Sequence, residues 1–279
     1  VMAVTFTNKA AKEMLTRLGT MLPYNVRGMW IGTFHGLCNR FLRAHWKLAG
    51  LSQSFQILDA QDTVSAIKRV IKSMNLDEER FVPKQVSWFI AASKEDGLRP
   101  KDVEVRDEQT RRLVEVYQNY EDQCQREGVV DFAELMLRTY ELMRDHDSVR
   151  EHYRRRFRHV LVDEFQDTDP IQFRIFERVF WPEATEADAE DNSTRAFVMI
   201  GDPKQSIYKF RGADLPSYLA ATERVPIERR HAMDTNWRSD RSLVEAVQAT
   251  FRSTPNPFLD QRITLPAVSA HFDDRLQDE

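Results

Sequence analysis

Apolar positions along this chain fall into two kinds of run. Short unbroken runs occur at residues 1–5 (VMAVT), 29–33 (MWIGT), His159–Val162 (HVLV) and 196–200 (AFVMI). Continuous apolar character over four or five residues predicts fully buried strands, the habit of a parallel sheet. Longer stretches repeat their apolar residues every three to four positions and predict helices. One runs over 9–18 behind a cap at Thr7 or Asn8, and another over 35–48 with Leu37, Phe41 and Leu42 on one side. Asp59 caps a helix holding Val64, Ile67, Val70 and Ile71, and Pro83 opens one with Val86, Phe89 and Ile90. Glu108–Glu127 is long and amphipathic, and Asp131 caps a further helix carrying Phe132, Leu135, Met136 and Tyr140. Pro170–Phe180, a stretch near Leu215 and residues 243–251 complete the helical signals.

Strands separated by helices predict an α/β fold with a parallel sheet covered on both faces. From about 58 to 143 the pattern is helical without a convincing strand, so this block reads as an all-helical insertion between strands. Ligands of such sheets bind at the carboxyl ends of the strands, where each polar motif is expected. Residues 182–195 are acidic and poor in large apolar groups, which predicts a solvated loop. The last twenty-odd residues have weak periodicity and read as a linker or the start of a further domain. The chain opens on a strand without an initiator Met, so it reads as truncated.

Composition narrows the function classes. The 279 residues are 42% hydrophobic and 30% charged, enough for an ordinary core and a polar surface. No apolar run reaches membrane-spanning length. Cys38 and Cys124 have no metal-type spacing, and a reducing cytoplasm is expected. The net charge of −4 gives no global support for nucleic-acid binding, so any such site must be a local patch.

The sharpest motif is HVLVDEFQDTDP (159–170). A buried strand delivers two adjacent carboxylates, Asp163 and Glu164, to its carboxyl end. Phosphoryl transfer from ATP needs Mg2+ on the phosphates and a group that orients water, and diverging neighbours at a strand end can divide these roles. The plainer alternative is a helix cap at Asp163 with a surface charge beside it. In VMIGDPKQSIYKFRGA (198–213) a strand again ends in Gly-Asp, and Gln205 is placed to meet a terminal phosphate. Tyr208 and Phe210 alternate with Lys209 and Arg211, a mixture suited to single-stranded nucleic acid. In TNWRSD (235–240) Arg238 is a candidate finger for phosphate charge and Trp237 a candidate stacking partner for adenine; the plainer reading makes them a helix cap and a core residue. Phe6, Thr7 and Asn8 in TFTNKAAKEM, and Thr33 and His35 in GTFHGL, stand at helix starts, where N–H groups meet phosphates or simply complete a cap. The basic run 150–158 reads as a solvated face or a backbone-tracking patch.

Taken together, TFTNKAAKEM, GTFHGLCNRFLR, VDFAEL, LVDEFQDTDP, IGDPKQSIYKFRGAD and TNWRSD resemble the motif series of superfamily 1 DNA helicases of the UvrD/PcrA/Rep and RecB type, over roughly residues 1–250. The resemblance implies a RecA-like P-loop NTPase domain in two parts, 1–57 and 151–225. A helical subdomain at 58–150 interrupts it, and a truncated second RecA-like domain starts at 226–279. It implies ATP-driven 3′ to 5′ movement on single-stranded DNA, with ss/ds junctions as substrates and repair or recombination subunits as partners. It assigns Mg2+ to Asp163, the catalytic base to Glu164, the terminal phosphate to Gln205 and Arg238, and adenine to Trp237. Phe6, Tyr208 and Phe210 would meet bases, and Thr7, Asn8, Thr33, His35 and Arg211 would lie along the DNA.

Two features depart from that pattern. No G-x-x-x-x-G-K-S/T loop occurs in the 279 residues, so weak ATP affinity and hydrolysis are expected of this chain alone. The front half is UvrD-like, whereas GDPKQSIYKFRGADLPSYLAA with TNWRSD is RecB-like, as in a mosaic gene, a fusion or an unusual subfamily. The competing classes are a non-catalytic single-stranded DNA-binding or interaction module, and a nucleotide-driven switch without DNA.

Overall fold

The structure is a computed structural model that describes all residues except Tyr24, Arg27, 182–194, 208–211, Leu259, Asp274 and 276–279. In chain order the elements are β1 (Met2–Thr5), α1 (Asn8–Met21), β2 (Trp30–Thr33), α2 (Phe34–Ala44), β3 (Gln56–Ile57), α3 (Ala60–Ser73), α4 (Pro83–Glu95) and α5 (Glu108–Glu127). Then follow β4 (Val129–Val130), α6 (Phe132–Asp145), α7 (Asp147–Arg156), β5 (His159–Val162), α8 (Pro170–Phe180), β6 (Ala196–Met199) and α9 (Leu215–Glu223). The chain ends with β7 (Thr235–Asp240), α10 (Arg241–Arg252) and β8 (Ser269–Phe272).

The main sheet is parallel, in the order β2-β1-β5-β6. Most turns from strand to helix are closed by a side chain of the type that favours capping. Thr7 Oγ1 accepts from Ala10 N at 3.1 Å, Asp59 Oδ1 from Gln61 and Asp62 N at 2.8 Å, and Asp131 Oδ1 from Glu134 N at 2.7 Å. Pro83 and Pro170 open α4 and α8, where a missing N–H is harmless. Gly128, at φ 67°, ends α5 in the left-handed conformation.

The sheet is not covered equally on its two faces. Met2, Val4, Val160 and Val162 are buried under α2 and α8, whereas Ala3, Ile31 and Leu161 on the opposite face are half-buried. The expectation that 196–200 is fully buried is overturned. β6 is the edge strand, and Val198 is 44% exposed. An apolar run reports β propensity and cannot say that a strand lies at an edge. The helix expected over 35–48 ends at Ala44, where the chain turns back on itself through His45 to Gly50.

Two short strands also correct the sequence reading. Val129–Val130 falls inside the block read as strandless and pairs in parallel with Gln56–Ile57. The helical block therefore leaves and re-enters at adjacent points. It has a core of its own, formed by Ile67, Val70, Ile71, Ile90, Tyr117 and Tyr120 among others, while α6 and α7 pack on the first core. The last stretch, read as weakly periodic, contains β8, which pairs in parallel with β7. TNWRSD is thus itself a strand rather than a loop following one. Residues 182–194, most of the expected acidic loop, lie outside the described residues.

A buried charge cluster joins α4 and α5 to α6. Lys94 Nζ, 2% exposed, lies 2.9 Å from Asp131 Oδ2 and 2.8 Å from Glu134 Oε2. Tyr120 Oη donates to the same Asp131 oxygen at 2.8 Å. Arg99 binds Glu121, Glu134 and Glu141. Burial works against the Lys94 charge, but Asp131 and Glu134 outweigh it and hold the ammonium protonated far above its usual range. Burial likewise opposes the Glu134 carboxylate, and Lys94, Arg99 and Arg138 overcome it and depress its pKa.

Removing one partner of a buried pair strands the others without solvent. Lys94→Ala should destabilise the fold by about 3–5 kcal/mol, read as a lower urea midpoint. A loss below about 1 kcal/mol, the worth of an exposed pair, would show that the cluster is hydrated.

Candidate active site

β5 ends in two carboxylates whose backbone is unusual. Asp163 continues the ladder, its N–H donating to Val4 O at 2.9 Å. Glu164 then turns into the left-handed region at φ 53°, ψ 40°, which is sparsely populated by residues other than glycine, asparagine and aspartate. The turn separates the two side chains and starts a short 3-10 turn, Phe165–Asp167. Burial raises the Glu164 pKa, the neighbouring Asp163 raises it further, and a hydrogen bond from the Phe6 N–H draws it partly back. Glu164 is therefore a better proton acceptor than an ordinary surface glutamate. The plain capping alternative does not hold for Asp163, because the residue that caps α8 is Asp169, accepting from Gln172 N at 2.7 Å.

The loop after β6 is tied sideways to this turn. Phe165 N donates to Ile200 O at 2.8 Å, Asp202 N to Gln166 Oε1 at 3.1 Å, and Ser206 Oγ to Gln166 O at 3.2 Å. Gly201 makes the close approach possible. A Cβ there would lie 2.8 Å from Gln166 Oε1 and 3.0 Å from the Tyr218 ring. Gln205 sits in the next 3-10 turn, exposed, with Nε2 donating to Asp202 Oδ2 at 3.2 Å. Burial works against the Asp202 carboxylate, but the Lys204 side chain and N–H outweigh it and hold its pKa below the usual range.

The structure thus brings Asp163, Glu164 and Gln205 to the carboxyl end of the sheet, together with Phe6 and Thr7 from the end of β1. Phe6 is half-buried against the main core; Thr7 and Asn8 are exposed at the start of α1. The Thr7 and Thr33 hydroxyls cap α1 and α2, Thr33 Oγ1 accepting from Gly36 N at 3.3 Å. His35 is half-buried, and burial lowers its pKa, which favours the neutral ring. Tyr208, Phe210 and Arg211 lie outside the described residues. Among the described residues no hydrogen bond or ion pair links Trp237 or Arg238 to Asp163, Glu164 or Gln205. Trp237 is 65% exposed, which excludes the core alternative. Within the basic run, Arg150 pairs with Asp147, Arg154 with Glu151, and the Arg156 guanidinium lies over Trp30.

One residue escaped the sequence reading. The apolar period puts Phe132 on the inner face of its helix, yet it is 49% exposed and meets His35 edge to face at 5.7 Å. No local signal marks it, because its exposure is set by what the fold places beside it.

Behind the site is a group of acids. Asp169 and Glu95 both flank Gly212, whose added Cβ would lie 3.5 Å from Asp169 Cβ and 3.3 Å from Glu95 Oε2. Burial pushes the Asp169 carboxyl up to about 8, with Glu95 and Asp214 adding to it, against N–H donation from Gln172. Burial, then Asp96, pushes Glu95 up to about 7.

Comparisons with known proteins give the family. Residues 1–226 match the family model of the UvrD/REP helicase N-terminal domain, and the chain belongs to that family. It is 43% identical over 250 residues to DNA helicase II of Escherichia coli strain K12, covering 89% of this chain and 33% of that protein. It is 46% identical over 220 residues to DNA helicase II of Haemophilus influenzae, covering 77% of this chain and 29% of the relative. ATP-dependent DNA helicase PcrA of Bacillus subtilis is 31% identical over 258 residues, 92% of this chain and 33% of that protein. The chain therefore spans about a third of the length of these relatives. The parallel sheet is the RecA-like sheet of this domain. No helix among the described residues is long and apolar enough to cross a membrane.

The acid group gives a pH prediction. An unfolded carboxyl titrates near ~4, whereas native Asp169 keeps its proton to about 8. Between those values the native state binds more protons, so this group's contribution to stability falls as pH rises from about 4 to about 8. Asp169→Asn keeps a capping side chain and removes the titration. Its stability relative to the unaltered chain should rise between pH 5 and pH 8 in urea denaturation; a pH-independent difference would contradict the assignment.

Proposed function

We propose that the protein carrying this chain is an ATP-dependent DNA helicase that translocates 3′ to 5′ on single-stranded DNA in repair or recombination, in the cytoplasm. One observation carries the reading: Asp163 and Glu164 are parted by a left-handed turn at a strand end and tied through Gln166 to the loop that bears Gln205. In this reading 1–57 and 151–225 form one RecA-like domain, 58–150 contains the helical insertion, and 226–279 starts the second. Residues 201–221 and 235–240 resemble the RecB branch, and the front half resembles UvrD.

The donors present suit Mg2+ with a nucleotide. Asp163 offers a hard carboxylate, and Thr5 Oγ1 is buried without a hydrogen-bond partner one residue past the Val4 that Asp163 bonds. Mg2+ typically takes one or two carboxylates and completes its shell with phosphates and water. Asp163 would hold it, and when bound it neutralises phosphate charge. Glu164 orients the attacking water and accepts its proton, a role helped by its raised pKa. Gln205 and Arg238 meet the terminal phosphate, and Trp237 packs on adenine. Phe6, Thr7, Asn8, Thr33, His35, Tyr208, Phe210 and Arg211 follow the single strand, and exposed Phe132 joins them as a further stacking surface.

In the full-length enzyme, Glu164→Gln should lower DNA-stimulated ATP hydrolysis roughly 10²–10⁴-fold while single-strand affinity persists. Phe6→Ala and Phe132→Ala should each weaken that affinity by about 1–3 kcal/mol. The 279-residue chain by itself should turn over little ATP. A single-strand affinity indifferent to ATP, with hydrolysis unaffected by Glu164→Gln, would instead mark a non-catalytic binding module.

A further inference from the structure

The β7–β8 pair contains an irregularity at the TNWRSD residues. Asn236 faces Ala270 and Asp240 faces Phe272, so four steps along β7 match two along β8. The surplus expels Trp237, Arg238 and Ser239 from the ladder. Bulges of this kind re-aim side chains. The bulge is held from within, because Asn236 Oδ1 accepts from both Arg238 N and Ser239 N at 2.8 Å. Arg275 holds it from outside, donating to Asp240 Oδ1 at 2.5 Å and to Arg238 O at 3.2 Å.

His271, opposite the bulge, lies against the indole. The Trp237 and His271 ring centroids are 3.6 Å apart and the planes differ by 25°. His271 is in turn braced edge-on by Phe272 at 4.7 Å, and the Arg275 guanidinium lies 4.2 Å over Phe272. One face of Trp237 is therefore covered, and with 65% of the residue exposed the other face is open. An exposed aromatic on a bulge would ordinarily sample several rotamers and lose that freedom on binding.

We propose that His271 is a positioning residue that fixes the Trp237 plane so that its open face receives a purine base. The proposal rests on the reading of Trp237 as the adenine partner. A flat three-layer stack of imidazole, indole and purine is the ligand chemistry this arrangement suits. A two-ring base matches the area of the indole, and the phosphates lie outside the stack. His271 acts without touching the nucleotide.

The test uses the full-length enzyme and 2-aminopurine riboside triphosphate, whose fluorescence is quenched by stacking, with inorganic tripolyphosphate as the probe lacking a base. The expected result is quenching on binding that Trp237→Ala abolishes. His271→Ala should weaken binding roughly 3- to 10-fold, and His271→Phe, which restores a flat ring, should recover it. Tripolyphosphate affinity should be equal in all four proteins, which separates loss of the platform from loss of the fold. If no quenching occurs, or if Trp237→Ala leaves it intact, the adenine reading fails and the proposal with it. If Trp237→Ala weakens binding but His271→Ala does not, or His271→Phe fails to restore it, the adenine reading stands and the role of His271 is refuted.

Discussion

A parallel strand can rejoin its sheet only through a crossover, and this constraint organises the molecule. Each strand of the main sheet runs the same way, so the connections leaving β1, β2, β5 and β6 all emerge at its carboxyl end. Residues remote in sequence, such as Phe6, Glu164 and Gln205, are gathered at that end without any direct bond between their side chains. Caps at Thr7, Thr33 and Asp169 then start the helices within a few residues of the strand ends. Polar side chains are left facing outward over a sheet whose other end is packed with Trp30, Phe41, Tyr153 and Phe157.

The two-part core follows from the same arrangement. The crossover from β2 to β5 is long enough to hold a helical block with its own interior. That block depends on charge as much as on apolar contact where it meets α6. Lys94 is buried among two carboxylates and two tyrosine rings, and the position is tolerable only because all of its partners are present. The same Asp131 starts α6 through its other oxygen. One residue therefore serves both as a helix cap and as a counter-ion, and VDFAEL reads as a structural junction as much as a motif.

Much of this was legible in the sequence. Glu108–Glu127, Pro170–Phe180 and His159–Val162 have the predicted bounds because caps, prolines and apolar period mark them without ambiguity. The position of Asp163 and Glu164 at a strand end was legible because a strand run ending in paired carboxylates is locally specified. What escaped depends on partners distant in sequence. The edge position of β6, the pairing of Val129 with Gln56, and the bulge at Trp237 are properties of a second strand, which no window around the first can contain. The exposure of Phe132 and the acid group around Gly212 were missed for the same reason, since both depend on what the fold places beside them.

The pairing of β3 with β4 has a mechanical consequence. Its two flanking bonds, Gln56 N to Gly128 O at 3.0 Å and Leu58 N to Val130 O at 2.8 Å, lie where the helical block is mounted on the first core. A load directed along these strands strains both bonds together, whereas a load across them peels one before the other. The mounting is therefore stiff in one direction and compliant in the other, with the Lys94 cluster as its second anchor point.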